Sequence, residues 1–165
     1  VITATGEYAL RAAVCLAQRF GKAITTSEIA KITKVPPGYL SKILQAMARR
    51  RLIDSRRGPG GGFHLARDPR DVSVLDVLES VDAPFDRIRD CPLGIESHGN
   101  LCPVHRLVDD AIGQVEAAFR STSLAELLKS TRGVAPLCEE HARGGCGTNR
   151  GARGRKHTAS RKKES

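Results

Sequence analysis

Apolar residues recur at three- and four-residue steps from the start of the chain. Tyr8, Ala9, Ala12, Ala13, Leu16, Ala17 and Phe20 lie on one face of a predicted helix that ends at Gly21, and that face is expected to be core. Thr25 and Glu28 are then spaced as a capping box, flanked by Ile24 and Ile29 as a hydrophobic staple, so a short second helix starts there. It ends before Pro36, because a residue preceding proline is pushed out of helical geometry. Pro37 suits the first position of a third helix, where its missing N–H is no loss, and Tyr39, Leu40, Ile43, Leu44, Met47 and Leu52 continue the period. Beyond Leu52 the pattern changes. Ile53 to Arg57, the run Gly58-Pro59-Gly60-Gly61-Gly62, and Phe63 and Leu65 alternating about His64 predict a hairpin with a wide loop.

Three helices and a hairpin in that order describe a winged helix-turn-helix. Farther on, Ser73 caps a helix carrying Val74, Val77, Leu78 and Val81, while Pro92, Gly94 and Gly99 break any period between 86 and 101. A long helix follows from Pro103, with Val104, Leu107, Val108, Ala111, Ile112, Val115, Ala118 and Phe119 on one coiled-coil-like seam. An exposed seam of that length predicts a homodimer. A short helix from Ser123, boxed by Glu126, closes the folded part. The expected fold is mostly α with a small β-hairpin: a winged helix-turn-helix domain over 1–82, a sensory loop over 83–102, a dimerisation helix and closing short helix over 103–132, and a basic, disordered tail over 133–165.

Charge sharpens this picture only locally. The 165 residues carry 27 Lys and Arg against 18 Asp and Glu, a net +9 that favours polyanionic partners. Seven basic residues and one acid lie between Gly147 and Ser165, so six of those nine charges belong to the tail. The DNA reading therefore rests on the pattern. The recognition helix of such a motif presents its N-terminal side chains to base edges, and here these are Gly38, Tyr39, Ser41, Lys42 and Gln45, after Pro37. Gln45 suits adenine, Lys42 guanine or phosphate, and Ser41 either partner of a hydrogen bond. Thr26 and Ser27, at the start of the second helix, join the candidate contacts. Arg49, Arg50, Arg51, Arg56 and Arg57 flank this surface and are suited to phosphate, with Arg57 placed to enter a minor groove. Gly60, Gly61 and Gly62 are expected to let backbone N–H groups approach phosphates. A nucleotide-binding P-loop is excluded, because its Lys-Ser/Thr pair is missing and no helix follows.

A second candidate chemistry lies in the loop. Cys91, His98, Cys102 and His105 are spaced C-x6-H-x3-C-x2-H, with Cys102 just before Pro103 at the positive end of the long helix. Two thiolates and two imidazoles suit tetrahedral zinc or an iron–sulfur cluster with mixed ligands. A loop free of metal, acting as a thiol or small-molecule sensor, uses the same residues. Cys15, within the first helix, is expected to be an inert buried thiol. Cys138, His141 and Cys146 are an incomplete zinc set, read as chance.

The segments TGEYALRA, IAKITKVPPGYLSKIL, RRGPGGGF, CPVHRL and TSLAELL together resemble the Rrf2 family of bacterial winged helix-turn-helix regulators, the IscR and NsrR type, from Thr3 to Leu128. RGPGGG in the wing is the most specific of these. The resemblance implies a homodimer on crossed long helices, a palindromic double-stranded operator read by Tyr39, Ser41 and Arg57, and a sensory cluster in the loop. Cluster-bearing members carry three cysteines there. This chain keeps the outer two and has Ser97-His98 near the middle position. In the NsrR branch a carboxylate before the first-helix tyrosine is the fourth ligand, and Glu7 before Tyr8 stands in that place. The resemblance thus implies a two-iron cluster on Glu7, Cys91, Cys102 and either His98 or His105.

The sequence disfavours two other classes. A thiol oxidoreductase or metal enzyme lacks its short CxxC pattern, and an aromatic content of 4% is too sparse for stacking single-stranded nucleic acid. No apolar run is long enough to span a bilayer and no signal pattern begins the chain, so a cytoplasmic regulator without membrane contact, and not an enzyme, is expected.

Overall fold

The computed structural model describes residues 2–81, 85–90 and 101–129. Helix α1, Ala4–Gln18, is capped by Thr3, whose side chain accepts from the Gly6 N–H at 3.0 Å. Small side chains along it, Ala9, Ala12, Ala13 and Cys15, are fully buried and let neighbours pack close. It touches helices α2 (Thr26–Thr33), α3 (Pro37–Arg49), α4 (Val74–Val81) and α6 (Leu124–Lys129). Ile29, Leu40, Leu44, Met47, Val77 and Leu124 close the core around it, each large aliphatic side chain contributing roughly 2 kcal/mol by burial.

The boundary signals act locally as their chemistry requires. Thr25 and Glu28 form a reciprocal box, with Glu28 N–H on Thr25 Oγ1 at 3.3 Å and Thr25 N–H on Glu28 Oε2 at 3.0 Å. The same device opens α4 through Ser73 and Asp76, and α6 through Ser123 and Glu126. Strands β1 (Ile53–Arg56) and β2 (Gly62–Leu65) pair antiparallel, Ile53 opposite Leu65. Ile24 and Phe63 exchange backbone hydrogen bonds at 2.9 and 2.8 Å, tying the wing to the segment before α2.

Two details depart from the periodicity. Phe20 falls beyond the end of α1 and is 49% exposed, because the helix stops at Gln18 and turns through Arg19. Leu52 lies outside α3: Arg51 takes a left-handed φ of 55°, the chain reverses, and Leu52 reaches the core from the turn.

Helix α5, Pro103–Ser121, differs from the rest in having no buried residue. It rests on α4 along one side, and Phe85, in the segment beyond α4, meets Phe119 with ring centroids 5.9 Å apart. Val104 (67%), Leu107 (71%) and Val108 (44%) face outward. After Thr122 the chain returns to the core: Val74 N–H donates to Thr122 O and Leu124 N–H to Val72 O, both at 2.9 Å. No described helix is long and apolar enough to cross a membrane.

Candidate nucleic-acid interface and thiol–imidazole pair

Helix α3 divides its residues by function. Leu40, Ile43, Leu44 and Met47 anchor it, and the intervening Tyr39, Ser41, Lys42 and Gln45 are exposed. Lys34, at a left-handed φ of 58°, makes the turn from α2, and Pro37 starts α3 at a position that needs no N–H donor. Thr26 and Ser27 sit in the first turn of α2, where free N–H groups point out of the helix. Tyr39 is 58% exposed yet not loose, since its ring stands edge-on to Tyr8 with centroids 6.3 Å apart. Ser41 donates to Pro37 O at 3.0 Å, which leaves its lone pairs outward.

The wing presents Arg56 and Arg57 exposed at the end of β1, while Arg49 and Arg50 stand exposed where α3 ends. Its glycines also have tasks within the fold. The Gly61 N–H donates to Gly58 O at 2.8 Å and is engaged within the loop, and a Cβ there would meet Arg56 O at 2.4 Å. A Cβ on Gly62 would lie 2.3 Å from Ile24 O. These two glycines therefore shape the wing and seat it on the segment before α2, and Gly60 is left at the exposed tip.

At the other end of the molecule, Cys102 is the N-cap of α5 and makes no side-chain cap bond to the helix. Its Sγ lies 3.3 Å from Nδ1 of His105, and both side chains are half-buried. A tetrahedral metal with bonds of about 2.3 Å to sulfur and about 2.0 Å to nitrogen places those atoms about 3.5 Å apart. The pair thus fits two ligands of one metal, and equally a hydrogen bond. Among the described residues no third His, Cys, Asp or Glu joins them. Glu7, exposed on α1, is held in an ion pair by Arg11, which also lies over the Tyr8 ring. Cys91 and His98 lie outside the described residues, as do Cys138, His141 and Cys146. Cys15 is fully buried and burial pushes its thiol up, so it favours the inert form expected of it.

Sequence reasoning missed one element beside this pair. Arg87 grips Asp109 in a two-pronged contact at 2.7 Å each and reaches Glu116 at 3.7 Å, and Ile88 N–H donates to Asp109 at 2.9 Å. Nothing in the apolar periodicity signals a salt link between positions 22 apart in the chain.

The comparisons agree with this geometry. The family model described as Rrf2, iron-dependent transcriptional regulator, matches residues 2–130. The chain is 31% identical over 132 residues to the HTH-type transcriptional regulator IscR of Sodalis glossinidius, covering 78% of this chain and 79% of that protein. It is 30% identical to IscR of Xenorhabdus nematophila with the same coverage. Among solved structures, IscR of T. potens superposes with a TM-score of 0.66 at 25% identity, covering 78% of this chain and 86% of that one. CymR of B. subtilis gives 0.69 at 23% identity, covering 79% and 98%, a likeness of fold. This chain belongs to the Rrf2 family and is a DNA-binding regulator with a winged helix-turn-helix.

Proposed function

We propose that the protein is a homodimeric, sequence-specific repressor that grips a palindromic operator with α3 and the wing and adjusts its affinity at the start of α5. The observation that carries the DNA reading is the exposed row of Tyr39, Ser41, Lys42 and Gln45 on a helix whose other face is locked into the core. Residues 1–82 then form the DNA-binding unit, 103–132 the dimerisation and closing helices, and 83–102 a sensory segment. The 133–165 tail adds phosphate contacts through charge.

For the signal, Cys102 and His105 are the first two donors to zinc or to a two-iron cluster, with Cys91, His98 or Glu7 completing the set. Such a group, when bound, supplies a redox- or iron-sensitive bond at the N-terminus of α5. Glu7 must leave Arg11 to serve. A metal-free thiol switch at Cys102 is the second reading, favoured by the direct contact between sulfur and imidazole. Anaerobic purification with an absorption spectrum and metal analysis separates the two.

The DNA reading is tested with a duplex selected by the parent protein from a random-sequence pool, beside a random duplex of equal length. Arg57→Ala is expected to weaken binding to the selected duplex at least about tenfold more than to the random one, because a groove-entering arginine senses shape. Arg49→Ala should weaken both about equally, as a phosphate contact does. Equal losses for Arg57→Ala on both duplexes would reduce Arg57 to a backbone contact.

A further inference from the structure

We infer that Arg87 is a positioning residue that, by tying the segment just beyond α4 to α5, fixes the tilt of α5 against the winged helix and so sets which spacing of operator half-sites the dimer accepts. This rests on the homodimer proposed above. The guanidinium holds both oxygens of Asp109 at 2.7 Å, touches Glu116 one side over, and is joined by the Ile88 N–H on the same carboxylate. Asp109 is only 15% exposed in its side chain, and the guanidinium beside it holds its carboxyl below the usual range. Phe85 against Phe119 extends the same attachment toward the C-terminal end of α5.

These contacts matter because, among the described residues, few others hold the helix. With no residue of its own buried, α5 is oriented by α4, by the Phe85–Phe119 contact and by this clasp. The 19-residue helix is roughly 28 Å long. Base pairs rise by about 3.4 Å, so a change of tilt that displaces a recognition helix by a few ångströms alters the fitting half-site spacing by one base pair. A planar fork that fixes angle as well as distance is suited to that task, where a lysine is not.

Gly113 is part of the device. A Cβ at that position would lie 2.8 Å from Arg87 Nη1 and 3.0 Å from its Cζ. Glycine is a poor residue for the middle of a helix, and here its bare Cα admits the guanidinium. Gly113→Ala therefore favours the helix while displacing the clasp, so stability and spacing preference should move in opposite directions.

The experiment uses the full-length protein, the duplex selected by the parent, the same half-sites moved together or apart by one and two base pairs, and a random duplex. The parent is expected to lose about tenfold or more in affinity for a one-base-pair change. Arg87→Ala should bind the spacing series evenly, with random-duplex affinity and dimer dissociation unchanged. Gly113→Ala should flatten the series while its melting temperature stays level or rises. The inference is overturned if both variants keep the parent's preference. It is equally overturned if preference falls only in step with melting temperature or with loss of the dimer. A parent indifferent to spacing would instead overturn the palindromic-dimer reading, and this inference with it.

Discussion

Leu44 and Leu107 are the same residue in opposite circumstances. Leu44, on α3, is completely buried, whereas Leu107, on α5, is 71% exposed. The difference runs through the two regions they belong to. Helices α1 to α4 with α6 and the wing form one core, in which every terminus with a capping box is closed by its own side chains. Helix α5 exposes the apolar side chains Val104, Leu107 and Val108, and its N-cap Cys102 makes no side-chain bond to the helix. The first region carries its stability within itself, and the second carries apolar surface that its own core does not bury.

The contrast is broken most sharply by truncating each leucine. Leu44→Ala is expected to destabilise the protein by about 2–5 kcal/mol in urea unfolding, since removal leaves a cavity among tightly packed neighbours. Leu107→Ala, measured at a concentration where the protein is monomeric, should leave the unfolding of the core within about 0.5 kcal/mol of the parent. Comparable losses from the two would show that α5 belongs to the same cooperative core.

Next in size is a charge placed on the outward face. Val108→Glu is expected to raise the dimer dissociation constant at least about 100-fold, roughly 2.7 kcal/mol, because a carboxylate is poorly tolerated in an apolar seam. Ile112→Glu should act in the same direction. Sedimentation of the parent and both variants checks this, and a parent already monomeric at micromolar concentration would refute the role given to α5.

How far each region was legible follows from the same division. Periodicity, the Thr25–Glu28, Ser73–Asp76 and Ser123–Glu126 boxes and the Pro37 start are local signals, and the elements they mark are present. One turn gave no such signal, because Arg51 holds a left-handed backbone where glycine would have announced it, whereas the left-handed turn at Lys34 was marked by Pro36 and Pro37. That is why Leu52 read as helix. In the wing the sequence marked the glycines but not the task of Gly62, which depends on Ile24 O, a partner far along the chain. The Arg87 clasp is likewise a relation between distant positions. At the thiol site, spacing brought Cys102 and His105 together because one helical turn separates them, while Glu7 read as a ligand is paired with Arg11.

A smaller effect separates the capped helix from the uncapped one. Hydrogen bonds from Thr25 hold the Glu28 carboxyl below its ordinary value. A carboxyl lowered on folding adds stability above its unfolded pKa of about 4.3, and that contribution is lost as pH falls through the folded value. Glu28→Gln should therefore melt below the parent at pH 7, and the gap should close as pH falls through the lowered folded value of Glu28. A gap that persists unchanged into acid would assign the loss to shape and not to charge.

The smallest expected effect on stability carries the most information about the open end of α5. Cys102 occupies the N-cap yet accepts no bond from the helix, and serine is among the best N-cap residues. Cys102→Ser should thus be neutral or stabilise the protein by about a few tenths of a kcal/mol. If the thiol were merely structural, that would be its whole consequence. If it senses, loss of the sulfur beside His105 should also abolish any change in DNA affinity caused by oxidant, nitric oxide or iron withdrawal, because a ligand shifts an equilibrium only through a bond it makes in one state. The measurement is affinity for the selected duplex, taken anaerobically before and after each treatment, for parent and Cys102→Ser, with melts alongside. Treatment responses that match in the two proteins would remove Cys102 from sensing and leave the thiol–imidazole contact a feature of the loop alone.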